Sequence, residues 1–375
     1  MASSFPPPSL TALRPSDVDR DSADTARVLI VDDSVVARAV IARLIDASDR
    51  FSVVGSVGTA HAALEFLGRA TVEFILLDIE MPGVDGLTAL PELIAAGRGA
   101  KILIVSSSAS DGGAATVQAL ALGAAETLVK PSASALSGQF GTALIAKLER
   151  LCETGGPLSP LAVVRNCPPR IAQVRPIADK AGSDDYDIVA IGASTGGIHA
   201  LNQLFREVPA GFRLPIVITQ HLPASFMPYF AAQIAALAGR PCDVATDRLR
   251  VRPGRIVVAP GDAHLKCVKL SDGGAAFRLT DDPAVSGCMP SVDPMLASIA
   301  DVYGARMLAI ILSGMGRDGA EGARRVHEIG GCVVAQDQAS SVVWGMPGAV
   351  ASAGVADAVL PPDAIGRLVA TRRRP

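Results

Sequence analysis

The chain has 375 residues, 49% of them hydrophobic and 4% aromatic, with a formal net charge of −3. That length exceeds what one hydrophobic core usually organises, so two soluble α/β domains of roughly 100 to 200 residues each are expected. Lys and Arg are scattered apart from the terminal Arg372, Arg373 and Arg374, so no basic stripe exists to neutralise a phosphate backbone, which argues against DNA or RNA as a partner.

Residues 1–26 carry Pro6, Pro7 and Pro8 and then a polar run, without the basic start and apolar core of a secretory leader, and are expected to form a disordered tail. From Arg27 to Leu151 apolar runs alternate with helical stretches: Val28–Val31, Phe51–Val57, Phe74–Leu77, Ile102–Val105 and Thr127–Val129. Five such β/α repeats predict a parallel sheet over residues 27–151. Residues 152–185 carry Pro157, Pro160, Pro168, Pro169 and Pro176 with no sustained period, which predicts a semi-extended linker.

Residues 186–375 repeat the pattern, with strands expected at Asp187–Ile191, Ile216–Gln220, Met307–Leu312 and Cys332–Ala335, giving a second, doubly wound α/β unit. Between Cys242 and Thr280 the runs shorten, as at Arg255–Ala259 and His264–Leu270, and are broken by Pro-Gly and Asp-Gly-Gly turns, which predicts an antiparallel insertion. No apolar run approaches the roughly 20 residues of a bilayer span. The six cysteines form no C-x-x-C pair, so reduced thiols and a cytoplasmic location are expected.

In the first domain, Asp32 and Asp33 end the first run, Asp78 the third and Ser106 the fourth, while Lys130 follows the fifth, before Pro131. The carboxyl ends of the strands in an open parallel sheet share one edge, so these groups can meet. Any one of the aspartates reads equally well as a helix cap or turn residue. Jointly, three carboxylates, a hydroxyl and an ammonium suit Mg²⁺ and a phosphoryl group. With Asp78-Ile79-Glu80-Met81-Pro82 and the Gly83 to Gly86 turn, the segment resembles response-regulator receivers. The resemblance implies a flavodoxin-like (βα)5 fold, Asp78 as phosphoacceptor, Mg²⁺ on Asp33, Asp78 and the Glu80 carbonyl, Asp32 acting through water, and Lys130 and Ser106 on the phosphoryl oxygens. It departs from that family at Thr127, where receivers usually carry an aromatic switch residue.

The second domain opens with Gly192-Ala193-Ser194-Thr195-Gly196-Gly197, a G-x-S-x-G turn between a strand and a helix that would expose the Ser194 hydroxyl. A glycine-rich turn of this kind can also cradle a dinucleotide. That reading needs an acid at the end of the next strand, which instead runs Ile216–Gln220 into His221, and no tyrosine has lysine four positions later. A hydroxyl nucleophile needs a base and a carboxylate. Of the five histidines, His61 belongs to the first domain, His199 and His327 lie in expected helices and His264 in the insertion, which leaves His221 as the base. Asp318, in Ser313-Gly314-Met315-Gly316-Arg317-Asp318-Gly319, reaches the same edge; its alternative role is an N-cap for the helix starting near Ala320, and the two roles can coexist.

These three motifs in order behind a receiver resemble the chemotaxis protein-glutamate methylesterase family, CheB. Ala259-Pro260-Gly261, Pro290-Ser291-Val292-Asp293 and Val343-Trp344-Gly345-Met346-Pro347 match as well. The residues around Cys288 and Met289 do not, standing where that family often has a basic, histidine-containing stretch. The resemblance implies a phosphorylation-activated Ser194-His221-Asp318 hydrolase with backbone oxyanion donors at Thr195 and Met315, and no cofactor beyond the receiver's Mg²⁺. Its substrates would be glutamate methyl esters and glutamines of methyl-accepting chemoreceptors. Its phosphodonor would be a CheA-type histidine kinase, and the unphosphorylated receiver would pack over the hydrolase cleft. A DNA-reading output, a non-catalytic scaffold and a receptor outside motility are the competing expectations. The first lacks a basic recognition helix, and the second leaves the Ser-His-Asp set unused.

Overall fold

The computed structural model describes residues 25–106, 113–130, 138–153 and 185–375. In the N-terminal unit β1 (Ala26–Val31), α1 (Val35–Asp46), β2 (Phe51–Val57), α2 (Ala60–Leu67), β3 (Phe74–Leu77), α3 (Gly86–Gly97), β4 (Lys101–Ser106), α4 (Gly113–Leu122), β5 (Glu126–Val129) and α5 (Gly138–Glu153) alternate. The strands form one parallel sheet in the order β2-β1-β3-β4-β5. Val28 to Val31 and Phe74 to Leu77 are buried without interruption, because helices cover both faces of the sheet and leave no polar side to alternate with. Ser34, Thr59 and Asp85 start α1, α2 and α3 by accepting the N–H groups of Ala37, Ala62 and Thr88.

The C-terminal unit runs β6 (Ile188–Ala193), α6 (Gly197–Glu207), β7 (Ile216–Gln220), a 3₁₀ turn (Ala224–Phe226), α7 (Met227–Ala238), β8 (Cys242–Val244), β9 (Ile256–Val258), β10 (His264–Lys269) and β11 (Ala275–Thr280). It continues through α8 (Val292–Tyr303), β12 (Met307–Ile311), α9 (Ala320–Glu328), β13 (Cys332–Gln336), α10 (Gly345–Ser352), β14 (Ala358–Leu360) and α11 (Pro362–Thr371). Seven parallel strands lie in the order β14-β13-β12-β6-β7-β9-β8, so the chain starts at the centre, builds outward on one side and then returns to build the other. The reversal falls between β6 and β12, where an open parallel sheet forms its crevice.

The expected antiparallel insertion is narrower than the sequence pattern indicates. Among the described residues β10 and β11 are the strands that pair antiparallel, with one isolated antiparallel bridge from Arg250 to Ala276, whereas Ile256–Val258 joins the parallel sheet between β7 and β8. Most of the expected tail, residues 154–184 of the expected linker and Pro131 lie outside the described residues. Among the described residues no helix is long and apolar enough to cross a membrane.

The two units meet through α4, which packs against α6 and α7. The Ala121 carbonyl accepts from His199 Nδ1 and from Asn202 Nδ2, both at 3.0 Å. Gln203 Nε2 lies 2.8 Å from His199 Nε2, and its donation there keeps the ring proton on Nδ1 for that bond. Gly113 sits against Tyr229, whose ring a Cβ at position 113 would approach to 2.5 Å. α4 is therefore fitted to this face by shape as well as by hydrogen bonds.

Candidate active site and phosphorylation site

In the first unit the strand ends bring the expected charges together. Lys130 Nζ lies 2.7 Å from an oxygen of Asp32 and 2.7 Å from one of Asp78. Carboxylate oxygens of Asp32, Asp33 and Asp78 fall within 4.8 Å of one another. The Glu80 N–H points at Asp78 Oδ1 across 3.4 Å. Asp78, Asp32 and Ser106 are buried, Asp33 is exposed, and the Ser106 hydroxyl has no partner among the described residues. Burial raises the Asp78 pKa despite Lys130 beside it. Burial works the other way on Lys130, yet its bonds to Asp32 and Asp78 prevail and raise its pKa. A cluster of hard oxygens with one buried, unused hydroxyl fits Mg²⁺ and an incoming phosphoryl group.

In the second unit β6 and β7 are in register, Ala193 opposite Gln220, so Ser194 and His221 leave the sheet side by side on strands about 4.8 Å apart. The His221 N–H is tied to the Ala193 carbonyl at 3.0 Å. Ser194 begins a turn closed by Gly197 N–H on its carbonyl at 2.8 Å, with Gln220 Nε2 donating to the same oxygen at 2.9 Å. Gly196 makes this turn at φ +76, and Gly314 must lack a side chain because a Cβ there would lie 2.8 Å from that of Ser194.

His221 Nε2 donates to Asp318 Oδ2 at 2.8 Å, which leaves Nδ1 as the nitrogen available to the serine. Among the described residues the Ser194 hydroxyl has no hydrogen-bond partner, and neither have the N–H groups of Thr195 and Met315. The pair that orients the base is thus made, while the serine and both expected oxyanion donors are unengaged.

Asp318 does not cap the helix that follows it. Gly319 occupies that N-cap at φ 90, and the Asp318 carboxylate turns instead to the start of α8. There it accepts the Ser291 hydroxyl at 2.6 Å, Val292 N–H at 2.7 Å and Asp293 N–H at 3.4 Å. Asp293 returns the arrangement by accepting Gly322 N–H of α9 at 2.7 Å. Burial alone would raise the Asp318 pKa, but the bonds from His221, Ser291 and Val292 outweigh it and hold the group ionised well below the usual carboxylate range. Asp293, half-buried, is pushed up to about 6 by that partial burial and by the Asp318 charge beside it.

His264 is not part of this pair. It is 1% exposed, accepts Ser291 N–H on Nδ1 at 2.9 Å and donates from Nε2 to the Asp282 carbonyl at 2.8 Å. It therefore holds Ser291, which in turn holds Asp318. The sequence motif Pro290-Ser291-Val292-Asp293 carries this support, though nothing in its spacing assigns the role. Cys288 was also unassigned. Its thiol lies within 4.8 Å of ligand atoms of His221 and Asp318, and burial together with the Asp318 charge raises its pKa.

The receiver-like unit closes over this site. Thr195 Oγ1 donates to Glu126 Oε2 at 2.9 Å, and Lys147 lies 3.3 Å from the other Glu126 oxygen. Leu120, Ala124, Ala125 and Glu126 face Ser194, Thr195, Gln220 and His221 across a space of about 20 Å³, enough for roughly one water molecule.

Residues 28–137 match the response regulator receiver domain family, and residues 189–369 match the family described as CheB methylesterase. A protein of Paramagnetospirillum magneticum named protein-glutamate methylesterase/protein-glutamine glutaminase 1 is 41% identical, over 91% of this chain and 94% of its own. A protein-glutamate methylesterase/protein-glutamine glutaminase of Azospirillum brasilense is 40% identical, over 96% of this chain and 95% of its own. The solved catalytic domain of Thermotoga maritima CheB methylesterase is 37% identical, over 50% of this chain and 98% of its own, with a TM-score of 0.48.

Proposed function

The chain belongs to the receiver-bearing CheB methylesterase family and is a protein-glutamate methylesterase and protein-glutamine glutaminase, and from that premise we propose that Ser194, His221 and Asp318 carry its chemistry. The observation that carries this assignment is the His221–Asp318 bond beside a serine one strand away in register.

Ser194 Oγ attacks the γ-carbonyl of a methylated receptor glutamate while His221 Nδ1 takes its proton and Nε2–H stays on Asp318. The tetrahedral oxyanion is met by the free N–H groups of Thr195 and Met315, each donor contributing about 3 to 4 kcal/mol in comparable enzymes. His221 returns the proton to the leaving methoxide, methanol departs, and a water activated by the same nitrogen releases the serine. A glutamine side chain follows the same route and gives ammonia and glutamate. The buried Asp318, whose pKa is lowered by the bonds from His221, Ser291 and Val292, stabilises the imidazolium formed in both steps.

The substrates are methyl-accepting chemoreceptors, the pathway is chemotaxis adaptation or a related chemosensory response, and the protein works in the cytoplasm. A CheA-type histidine kinase supplies the phosphoryl group to Asp78. Asp33, Asp78 and the Glu80 carbonyl would hold Mg²⁺, with Asp32 nearby through water; the ion would offset repulsion between Asp78 and the phosphoryl oxygens. Lys130, already paired to Asp78, and the Ser106 hydroxyl, without a partner among the described residues, then take up those oxygens. The test is to incubate the protein with receptors carrying radiolabelled methyl esters and count volatile methanol with and without a phosphodonor. Release that requires Ser194 and rises on phosphorylation is expected, and release that persists in a folded Ser194→Ala protein would reject the assignment.

A further inference from the structure

We propose that Cys288, His221 and Asp318 form a binding site for a thiophilic divalent cation of the zinc class, and that filling it shuts the hydrolase. The Cys288 thiol, a ring nitrogen of His221 and a carboxylate oxygen of Asp318 lie within 4.8 Å of one another. Tetrahedral zinc holds S, N and O donors at about 2.3, 2.0 and 2.1 Å, which puts the donors roughly 3.5 Å apart. The His221–Asp318 edge, a hydrogen bond of 2.8 Å, has to widen by about 0.7 Å to reach that spacing, while the cysteine closes in from within 4.8 Å.

Cys288 is placed for it. It lies between β11 and α8, outside helix and strand, is half-buried, and among the described residues the hydrogen bond its thiol makes is a long one, to the Ser286 carbonyl at 3.9 Å. Its backbone is nonetheless anchored, because its N–H donates to Ser286 Oγ at 3.3 Å and that hydroxyl reaches Ser291 Oγ at 3.2 Å. Ser291 is the residue that holds Asp318. The thiol can turn while its Cα keeps station beside the catalytic pair.

One thiolate, one imidazole and one carboxylate select zinc, cobalt or cadmium over Mg²⁺ and Ca²⁺, which take hard oxygen ligands. The site is therefore chemically distinct from the oxygen cluster at Asp78, and the two can be loaded independently. On binding, Cys288 releases its thiol proton to solvent. His221 coordinates through one nitrogen and keeps its single proton on the other, so it no longer serves as a base. The inhibition, though not the binding, rests on His221 being that base.

The full-length protein, reduced and metal-free, is titrated with Co²⁺ and then Zn²⁺ while the thiolate-to-cobalt charge-transfer band is followed, beside Cys288→Ala and Cys288→Ser. In parallel, Zn²⁺ is titrated against basal methanol release. A cobalt band lost in both variants and displaced by Zn²⁺ is expected. The zinc concentration for half-inhibition should rise at least about tenfold in Cys288→Ala, whose metal-free activity is unchanged. Equal bands or equal zinc sensitivity in wild type and Cys288→Ala overturn the site. A Cys288-dependent band without any inhibition keeps the site and overturns His221 as the base.

Discussion

Thr195, next to the candidate nucleophile, donates its hydroxyl to Glu126 across the boundary between the two units at 2.9 Å. A space of about 20 Å³ does not admit a helix bearing a methylated glutamate, so substrate that approaches Ser194 from this side requires the two units to part. A folded fragment from about Asp184 to Pro375 is expected to release methanol faster than the unphosphorylated whole protein, with phosphorylation narrowing the gap. Glu126→Ala should open the whole protein in part, by up to about tenfold, since one charge-assisted bond contributes about 1.5 kcal/mol and each 1.4 kcal/mol is a factor of ten. Methanol release at equal protein concentration decides it, and a fragment slower than the whole rejects closure.

The two buried-side histidines should separate cleanly. His221→Ala is expected to reduce kcat by at least about a thousandfold while the melting temperature barely moves. His264→Ala should do the reverse, costing about 1 to 3 kcal/mol of stability through the orphaned Ser291 N–H and Asp282 carbonyl and leaving most of the turnover. Thermal melts beside single-turnover assays read both, and the opposite order would make His264 the base.

Phosphate from a small phosphodonor with Mg²⁺ is expected on Asp78 alone. Asp78→Asn should abolish labelling, and Lys130→Ala should leave Asp32 and Asp78 as facing, uncompensated charges and reduce it strongly. A stable label found by mass spectrometry in Asp78→Asn would refute the phosphoacceptor.

Asp293 gives a pH signature in stability. Its folded pKa, about 6, lies above the ordinary value of 3.8, so the native state binds the extra proton and the protein loses stability as pH rises from about 4 to 6. Asp293→Asn keeps an acceptor for Gly322 N–H and removes the titration. Urea melts at pH 4, 5, 6 and 7 should show the asparagine variant gaining on wild type across that window, and parallel curves would contradict a half-buried Asp293 with a raised pKa.

The charges at strand ends were legible because a repeating β/α pattern delivers every strand's carboxyl end to one edge, whichever residues lie between. Asp32, Asp33, Asp78 and Lys130 converge as that rule requires, and so do Ser194, His221 and Asp318. What supports them was not legible. Ser291 reaches Asp318 from the first turn of another helix, and Glu126 reaches Thr195 from another domain, so neither contact has a period or a local motif. β8 and β14 are three residues each, too short for alternation to register. The sequence also left Asp318 open to an N-cap role, because Asp near a helix start usually is one; Gly319 at φ 90 takes that position and turns the chain so that the carboxylate faces α8 instead.

That turn gives Asp318 two employers. The oxygens that steady His221 also satisfy the open N–H groups at the start of α8, where helix polarity favours a negative charge. Replacing Asp318 therefore injures the fold and the chemistry together, whereas removing the Ser194 hydroxyl costs catalysis alone. In a lineage released from the need for hydrolysis, the serine is free to drift early, and the aspartate will persist as a fossil of the lost reaction for as long as the domain must still fold.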